Sequence, residues 1–218
     1  MSETSEDGYA GPDRLRRVLI AVLVVGLLVI AGAAGWLLRG SGGGSQPSAT
    51  SVDAGFAQDM TIHHIQAVTM AGYERDNTTN AGLKVLAFDI ETEQQFQVGQ
   101  MSGWLDAWNL GRNDAHPMAW MGHAHAVVNG LMPGMATPSQ MTKLESLHGN
   151  ALDVLFLQLM IHHHQGGLAM ARYAAAHAST DYVRQLAGSI VVSQAAEIIE
   201  MQKLLTGLGG SPLPPPTD

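Results

Sequence analysis

The chain contains the same unit twice, at residues 53–105 and 153–205, with a constant offset of 100 positions and no gap. Identical residues recur in both copies, among them Asp53 and Asp153, Phe56 and Phe156, Gln58 and Gln158, Met60 and Met160, His63 and His163, His64 and His164, Met70 and Met170, and Tyr73 and Tyr173. Without selection, mutations would have made the two copies of the duplication diverge at these positions. We therefore expect that the shared residues either pack a core or perform chemistry.

Both copies have apolar residues at helical spacing, and alternating apolar runs bounded by hairpin turns are absent. The spacing predicts helices near 53–75, 81–110, 150–177 and 181–207, and a short helix that begins after Thr137. Turn and capping residues lie at 77–80 and at 179–181, so each copy is a helical hairpin. One hairpin cannot cover its own apolar face, whereas two can close into an antiparallel four-helix bundle. The predicted fold is therefore all-α, with the bundle at 53–208 and a connection at 106–149.

The N-terminal segment has the pattern of a membrane span. Arg14, Arg16 and Arg17 precede an uncharged apolar run at 18–38, which is long enough, at about 1.5 Å per residue, to cross a bilayer. The positive-inside rule then places residues 1–17 in the cytoplasm and the repeats outside. A cleaved signal peptide is the alternative, because the Ala-Gly-Ala at 31–33 resembles a cleavage site.

Either interpretation exports the repeats. We expect a single-pass protein of the cell membrane with an extracytoplasmic domain, or a secreted protein if the segment is cleaved. The composition of residues 39–52 is typical of a flexible linker, and that of residues 209–218 of an extended, proline-rich tail.

The exported part carries the negative charge of the chain. Residues 40–218 hold 7 Lys or Arg and 15 Asp or Glu, and the net charge is -8. Such a surface repels phosphate backbones, which argues against nucleic acid as a partner. The chain has no cysteine, so it has neither disulfides nor thiolate ligands. A soft metal ion would have to be held by methionine and histidine.

Each predicted bundle interior receives a histidine pair flanked by methionines. At 100° per residue, one face of the first helix holds Met60, His63, His64 and Met70, and one face of the third holds Met160, His163, His164 and Met170, with His162 adjacent. Burying these imidazoles without partners would be costly. A metal ion could satisfy them by coordination. Alternatively, inward-facing side chains of the other two helices could do so by hydrogen bonding: Gln94, Gln97, Gln194 and Glu197.

The connection holds a second group of soft ligands. It contains His116, Met118, Met121, His123, His125, Met132 and Met135. The alternative is a loop that folds over the bundle and buries its methionines in the core. With imidazole and thioether present and thiolate missing, the favoured ion is copper, as Cu(I) through Met and His and as Cu(II) through His. The zinc signature His-Glu-x-x-His is absent.

The element Met-x-x-His-His followed by Met-Ala, present in both copies around the sequence Met-Pro-Gly-Met at 132–135, resembles the DUF305 family. The resemblance covers residues 53–205. It implies a ferritin-like four-helix bundle and, for some members, periplasmic copper binding linked to copper tolerance. Family members often read His-His-Gln-Gly-Ala in the second motif; the sequence at 163–167 is close to this, whereas the sequence at 63–67 departs from it.

We therefore expect a membrane-anchored, extracytoplasmic protein that binds copper for buffering, tolerance or transfer, with no turnover implied. Two other functions fit the same residues. One is a metal-dependent oxidoreductase on the same bundle, which would need an open coordination position and carboxylate ligands. The other is a metal-free, tethered interaction module whose histidines form a hydrogen-bonded core or a pH-sensitive switch.

Overall fold

A computed structural model describes residues 46–122 and 127–216. They form five α-helices, which we number α1 (Val52–Asn77), α2 (Ala81–Ala107), α3 (Pro138–Glu145), α4 (Gly149–His177) and α5 (Asp181–Gly207), and one 3-10 turn (Ala119–Met121). These residues contain no β-strand, and Val128 and Leu131 form only an isolated bridge. The predicted all-α fold is confirmed.

None of the helices within the described ranges is both long enough and apolar enough to cross a membrane. The predicted span at 18–38 lies outside those ranges, as does the first half of the linker at 39–52.

Each copy of the repeat folds into a pair of antiparallel helices. α1 packs along α2, α4 packs along α5, and the two hairpins contact each other mainly through α1 and α4. Asn80 caps α2 by accepting hydrogen bonds from the backbone N–H groups of Gly82 and Leu83. The predicted capping box of α3 is present, since Thr137 and Gln140 bond each other's backbone N–H.

Two aspartates at equivalent positions of the repeat bond the loop of the opposite hairpin. Asp53 accepts four hydrogen bonds of 2.7–2.9 Å from the backbone and hydroxyl groups of Ser179 and Thr180. Asp153 accepts one of 2.8 Å from the hydroxyl of Thr78. The loop of each hairpin is thus hydrogen-bonded to an aspartate of the other hairpin.

Both hairpins end in the same backbone turn. Asn109 and Gly209 have left-handed φ angles of 56° and 77°, and the next N–H bonds the carbonyl of Leu105 or Leu205 at 2.9 Å. α2 therefore ends at Ala107 and not at the predicted residue 110, because asparagine tolerates the left-handed conformation that terminates a helix.

The equivalence of the copies extends beyond these turns. The side-chain amide of Gln58 donates to the carbonyl of Gly111 at 2.6 Å, and that of Gln158 donates to the carbonyl of Ser211 at 2.7 Å. The chain leaving each hairpin is therefore held by the same glutamine of its own copy.

Two apolar clusters fill the interior, one toward each end of the long helices. The first includes Phe56, Met60, Met101, Met170 and Ile190; the second includes Met70, Ile90, Phe156, Met160 and Met201. Between the two clusters, each long helix contributes polar side chains to the interior. We call polar layer the buried residues His63, His64, Gln94, Gln97, His163, His164 and Gln194, together with the partly buried Glu197.

Candidate metal centre

The four histidines of the two His-His pairs meet at the centre of the polar layer. All four side chains are fully buried. His63 from α1 and His163 from α4 lie ring against ring, with centroids 3.7 Å apart and planes tilted by 37°. The rings of His163 and His164 have centroids 6.3 Å apart. The repeat thus brings together imidazoles that are 100 residues apart in sequence.

Three of the imidazoles are oriented by hydrogen bonds through Nε2. His63 bonds the carbonyl oxygen of Pro133 at 3.1 Å, His64 bonds Oε1 of Gln97 at 2.7 Å, and His164 bonds Oε2 of Glu197 at 2.7 Å. The amide of Gln97 is itself oriented, because its Nε2 donates to Oε1 of Glu93 at 2.8 Å.

These contacts fix the tautomer of each ring. A carbonyl, amide or ionised carboxylate oxygen accepts hydrogen bonds, so Nε2 of His63, His64 and His164 carries the proton. In the neutral form of each ring, Nδ1 then carries a free lone pair, which is the form of histidine that binds metal ions.

The inner nitrogens of the polar layer have no hydrogen-bond partner. The buried atoms without a partner include Nδ1 of His63, His64 and His164, both ring nitrogens of His163, and the amide groups of Gln94 and Gln194. Buried polar atoms normally have partners, and each one left without costs roughly 1–3 kcal/mol. A neutral imidazole has one lone pair, so these five nitrogens on four rings offer at most four lone pairs to a metal ion in one layer.

Burial also keeps three of these rings neutral. It lowers the pKa of His63 to about 4 and that of His64 to about 3, and it lowers the pKa of His163 well below its ordinary value. For each of the three, the charges of neighbouring histidines lower the pKa further. At neutral pH His63, His64 and His163 are therefore neutral imidazoles, which need not lose a proton before they bind a metal ion.

The donor set fits a metal ion, but a closed cage is not formed. Across the described ranges, no three His, Asp or Glu side chains are placed so that they could hold one ion together. The stacked rings of His63 and His163 present their faces to each other. A shared ion would require at least one imidazole to rotate, or a thioether to complete the coordination.

The four methionines of the repeat flank the polar layer. Met60 and Met170 are fully buried in the first apolar cluster, and Met70 and Met160 in the second. Met60 and Met160 precede the histidine pairs by one helical turn. Their thioethers therefore lie on the faces that carry the imidazoles.

Hydrogen bonding satisfies the layer only in part. Gln97 and Glu197 bond His64 and His164, as the alternative interpretation expected. The amides of Gln94 and Gln194 bond nothing in the described part of the chain. Gln94 and Gln194 thus add further polar groups without partners to the same layer.

The remaining candidate ligands that the structure describes lie outside the polar layer. Met118, Met121 and Met132 are buried in the first apolar cluster, and Met135 packs against it. His116 is exposed. His123 and His125 lie outside the described residues. His162 faces outward, where its Nδ1 donates to the carbonyl of Pro214 at 2.9 Å.

The turn at 132–135 has a structural role that the sequence did not suggest. A Cβ added to Gly166 of α4 would overlap the carbonyl group of Pro133. Glycine thereby allows the turn to reach the helix, and the carbonyl of Pro133 reaches His63. The sequence contains one residue that this contact requires, a glycine three positions after His163.

The sequence patterns also gave no indication of two buried carboxylates. Asp59 accepts hydrogen bonds of 2.7 Å from the backbone N–H of Met118 and from the indole of Trp120, which anchors the connection on α1. Burial raises the pKa of Asp59 to about 6. Glu74 is fully buried near Asp153. Both differ between the copies, where Leu159 and Ala174 stand at the equivalent positions.

The comparisons with known proteins agree with this architecture. The family model described as a domain of unknown function, DUF305, matches residues 53–205. A DUF305 protein from Streptomyces coelicolor has a solved structure with 42% identity and a TM-score of 0.71, and the match covers 77% of this chain and 99% of that one. A DUF305 fragment from Deinococcus radiodurans has 29% identity and a TM-score of 0.61, covering 72% of this chain and 96% of that one.

CopM is a third similar structure, solved in Cu(II)-bound and Cu(I)-bound forms. Both forms have 25% identity and a TM-score of 0.56; the matches cover 72% of this chain and 97% or 98% of CopM. No curated protein matches the chain.

Proposed function

The chain belongs to the DUF305 family, and on this premise we propose that it is an extracytoplasmic copper-binding protein whose polar layer holds the ion. The observation that carries the proposal is the set of five buried imidazole nitrogens without partners. The copper-bound forms of CopM, at 25% identity, support copper as the ion. The role is buffering or transfer of copper, and no turnover is assigned.

The proposed ligands are the oriented imidazoles and the thioethers beside them. His63, His64 and His164 would bind through Nδ1, while their Nε2–H contacts hold the rings in place. His163 would bind through whichever nitrogen carries its lone pair. Met60, Met70, Met160 and Met170 lie beside the layer on a ferritin-like four-helix bundle. Thioether and imidazole ligands favour Cu(I) over Zn(II).

We propose that the domain acts outside the cytoplasm, held to the membrane by the apolar segment at 18–38. The Streptomyces coelicolor relative carries the name of a secreted protein. If the segment is an anchor, the protein should remain with membranes after carbonate washing and keep residues upstream of Val18. A mature N-terminus near Ala34 would instead establish cleavage and release.

The test of copper binding uses protein purified without a His tag. Anaerobic titration in competition with a chelator should give tighter binding of Cu(I) than of Zn(II). The double variants His63→Gln with His64→Gln, and His163→Gln with His164→Gln, should lower copper stoichiometry or affinity. They should also reduce the rise in melting temperature on adding copper, because a ligand that binds only the folded state stabilises it by RT ln(1 + [L]/Kd).

The exposed histidine of α4 provides a matched control. His177→Gln removes an imidazole from the same helix, outside the polar layer, and should bind copper like the parent. Copper binding that survives in both double variants would exclude the polar layer as the site. Equal or better retention of zinc would exclude copper as the preferred ion.

A further inference from the structure

A surface groove lies between the connection and the C-terminal tail. It has a volume of about 430 Å³, and its lining includes Met132, Met135, His162, Leu213 and Pro214. Among the described residues, the lining contains no aspartate, glutamate or lysine. The strong metal ligands among these lining residues are two thioethers and one imidazole.

The two methionines are neighbours because of the turn that carries them. The N–H of Met135 donates to the carbonyl of Met132 at 3.1 Å, and Gly134 between them has a left-handed φ of 80°. Proline followed by left-handed glycine is the arrangement of a type II β-turn, which places the Cα atoms of its first and last residues within about 7 Å. The side chains of Met132 and Met135 therefore branch from neighbouring Cα atoms at the two ends of the turn.

The same turn rests directly on the residue that supplies the imidazole. A Cβ added to Gly134 would lie 2.6 Å from the carbonyl oxygen of His162 and 3.0 Å from that of His163. The turn and α4 are thus in backbone contact at His162. This contact brings the methionines and the histidine to one groove.

The tail orients the imidazole of His162. Its Nδ1 donates to the carbonyl of Pro214 at 2.9 Å, so Nε2 is the ring nitrogen left to bind an ion. The tail is held there by the bond from Gln158 to the carbonyl of Ser211 at 2.7 Å. A carbonyl that fixes the tautomer and direction of a histidine ring is a common feature of metal sites.

We propose that Met132, Met135 and His162 form a second, surface site for a soft monovalent ion, separate from the polar layer. The inference rests on the proposed function only in taking Cu(I) as that ion. Two thioethers and one imidazole suit Cu(I), whereas Zn(II) sites use thiolates, several imidazoles or carboxylates, and Ca(II) sites use oxygen ligands. The site belongs to one copy alone, because Ile62 stands where the first copy would need the histidine.

The test is an anaerobic Cu(I) titration of the full-length chain in detergent, against a competing chelator. Met132→Leu with Met135→Leu removes both sulfurs at nearly constant volume, and His162→Gln removes the imidazole. Each variant should lose one equivalent of Cu(I), or bind it at least about tenfold more weakly. Deletion of residues 213–218 should weaken the same equivalent about tenfold, since it removes the carbonyl that orients His162.

Met141→Leu is the matched control, because this partly buried methionine packs against the second apolar cluster and is not part of the groove lining. It should bind Cu(I) like the parent. All variants should keep the metal-free melting temperature within a few degrees, which separates ligand loss from unfolding.

The groove and the polar layer are tested independently. If the groove variants bind like the parent while the double histidine variants lose copper, the surface site is wrong and the proposed function stands. If only the groove variants lose copper, the surface site stands and the polar layer is wrong. A parent that binds no Cu(I), or binds Zn(II) equally well in the groove, overturns the surface site as proposed.

Discussion

His163 lies against His63 with ring centroids 3.7 Å apart, yet only His63 is held by a hydrogen bond from its own side chain. The ring of His63 is fixed by the carbonyl of Pro133, whereas neither nitrogen of His163 has a partner. Of the four central imidazoles, His163 is therefore the one that can rotate without breaking a hydrogen bond. If the layer rearranges around an ion, we expect His163 to move most.

The neutral state of His163 predicts a loss of stability in acid. Burial keeps the pKa of His163 well below its ordinary value in the folded protein, while the unfolded chain takes up a proton below pH about 6.5. Stability from this group is present above that pH and is lost as pH falls. Without metal, His163→Gln should gain about 2 kcal/mol relative to the parent between pH about 7.5 and about 5.

Urea unfolding at several pH values, with a chelator present, measures this difference. Glutamine does not titrate, and the substitution breaks no hydrogen bond of the parent. Parallel stability profiles for parent and variant would contradict a buried, neutral His163.

Glu74 should have the opposite pH dependence. Burial first, and then the charge of Asp153, raises the pKa of Glu74 to about 8. The folded protein keeps this acid protonated, while the unfolded chain ionises it above about 4.5, so stability falls as pH rises between these values. Glu74→Gln, which resembles the neutral acid, should stabilise the protein by roughly 2–3 kcal/mol at pH about 7 and by almost nothing at pH about 4.

Chemical denaturation at both pH values checks this expectation. Glu200→Gln, at an exposed position of α5, is the control and should not change the pH profile. A stabilisation by Glu74→Gln that is equal at both pH values would mean that Glu74 is not protonated by folding.

The contact between Gly166 and Pro133 predicts opposite results for two glycine substitutions. Gly166→Ala places a Cβ against the carbonyl of Pro133, so the turn must shift, at a cost of about 1–3 kcal/mol. Gly99→Ala in α2 meets no atom within 4 Å and should stabilise the helix by about 0.5–1 kcal/mol. Urea unfolding of both variants decides the point, and a neutral Gly166→Ala would show that the turn does not depend on this contact.

The aspartates that bond the opposite hairpin should differ in strength. Asp53→Ala removes four hydrogen bonds from a residue that is 1% exposed, and we expect a loss of roughly 2–4 kcal/mol. Asp153→Ala removes one hydrogen bond and relieves Glu74 of a neighbouring charge, so its cost should be about 1 kcal/mol or less. Equal losses in thermal unfolding would argue against this unequal bonding.

The helices could be predicted from the sequence because the same helical spacing of apolar residues occurs in both copies of the repeat. The end of α2 was placed too late, since the pattern of apolar residues does not show that Asn109 adopts a left-handed φ. The inward positions of Gln97 and Glu197 followed from helical spacing.

The details of the site depend on contacts that are distant in sequence. The bond from His63 to Pro133 joins residues 70 positions apart, and no local pattern indicates it. The same holds for Met118 and Met121 of the connection, which pack in the first apolar cluster where Asp59 fixes Met118 and Trp120 on α1. Sequence alone left ligand and packing roles open for these methionines.

The crossed bonds from Asp53 to the loop at 179–180, and from Asp153 to Thr78, resemble the self-complementary contacts of a two-fold homodimer. A site divided between separate subunits would be lost on dilution, because the subunits would dissociate. Here the connection joins both halves, so the effective concentration of one hairpin near the other is fixed by the chain itself. The four imidazoles therefore stay together at any protein concentration.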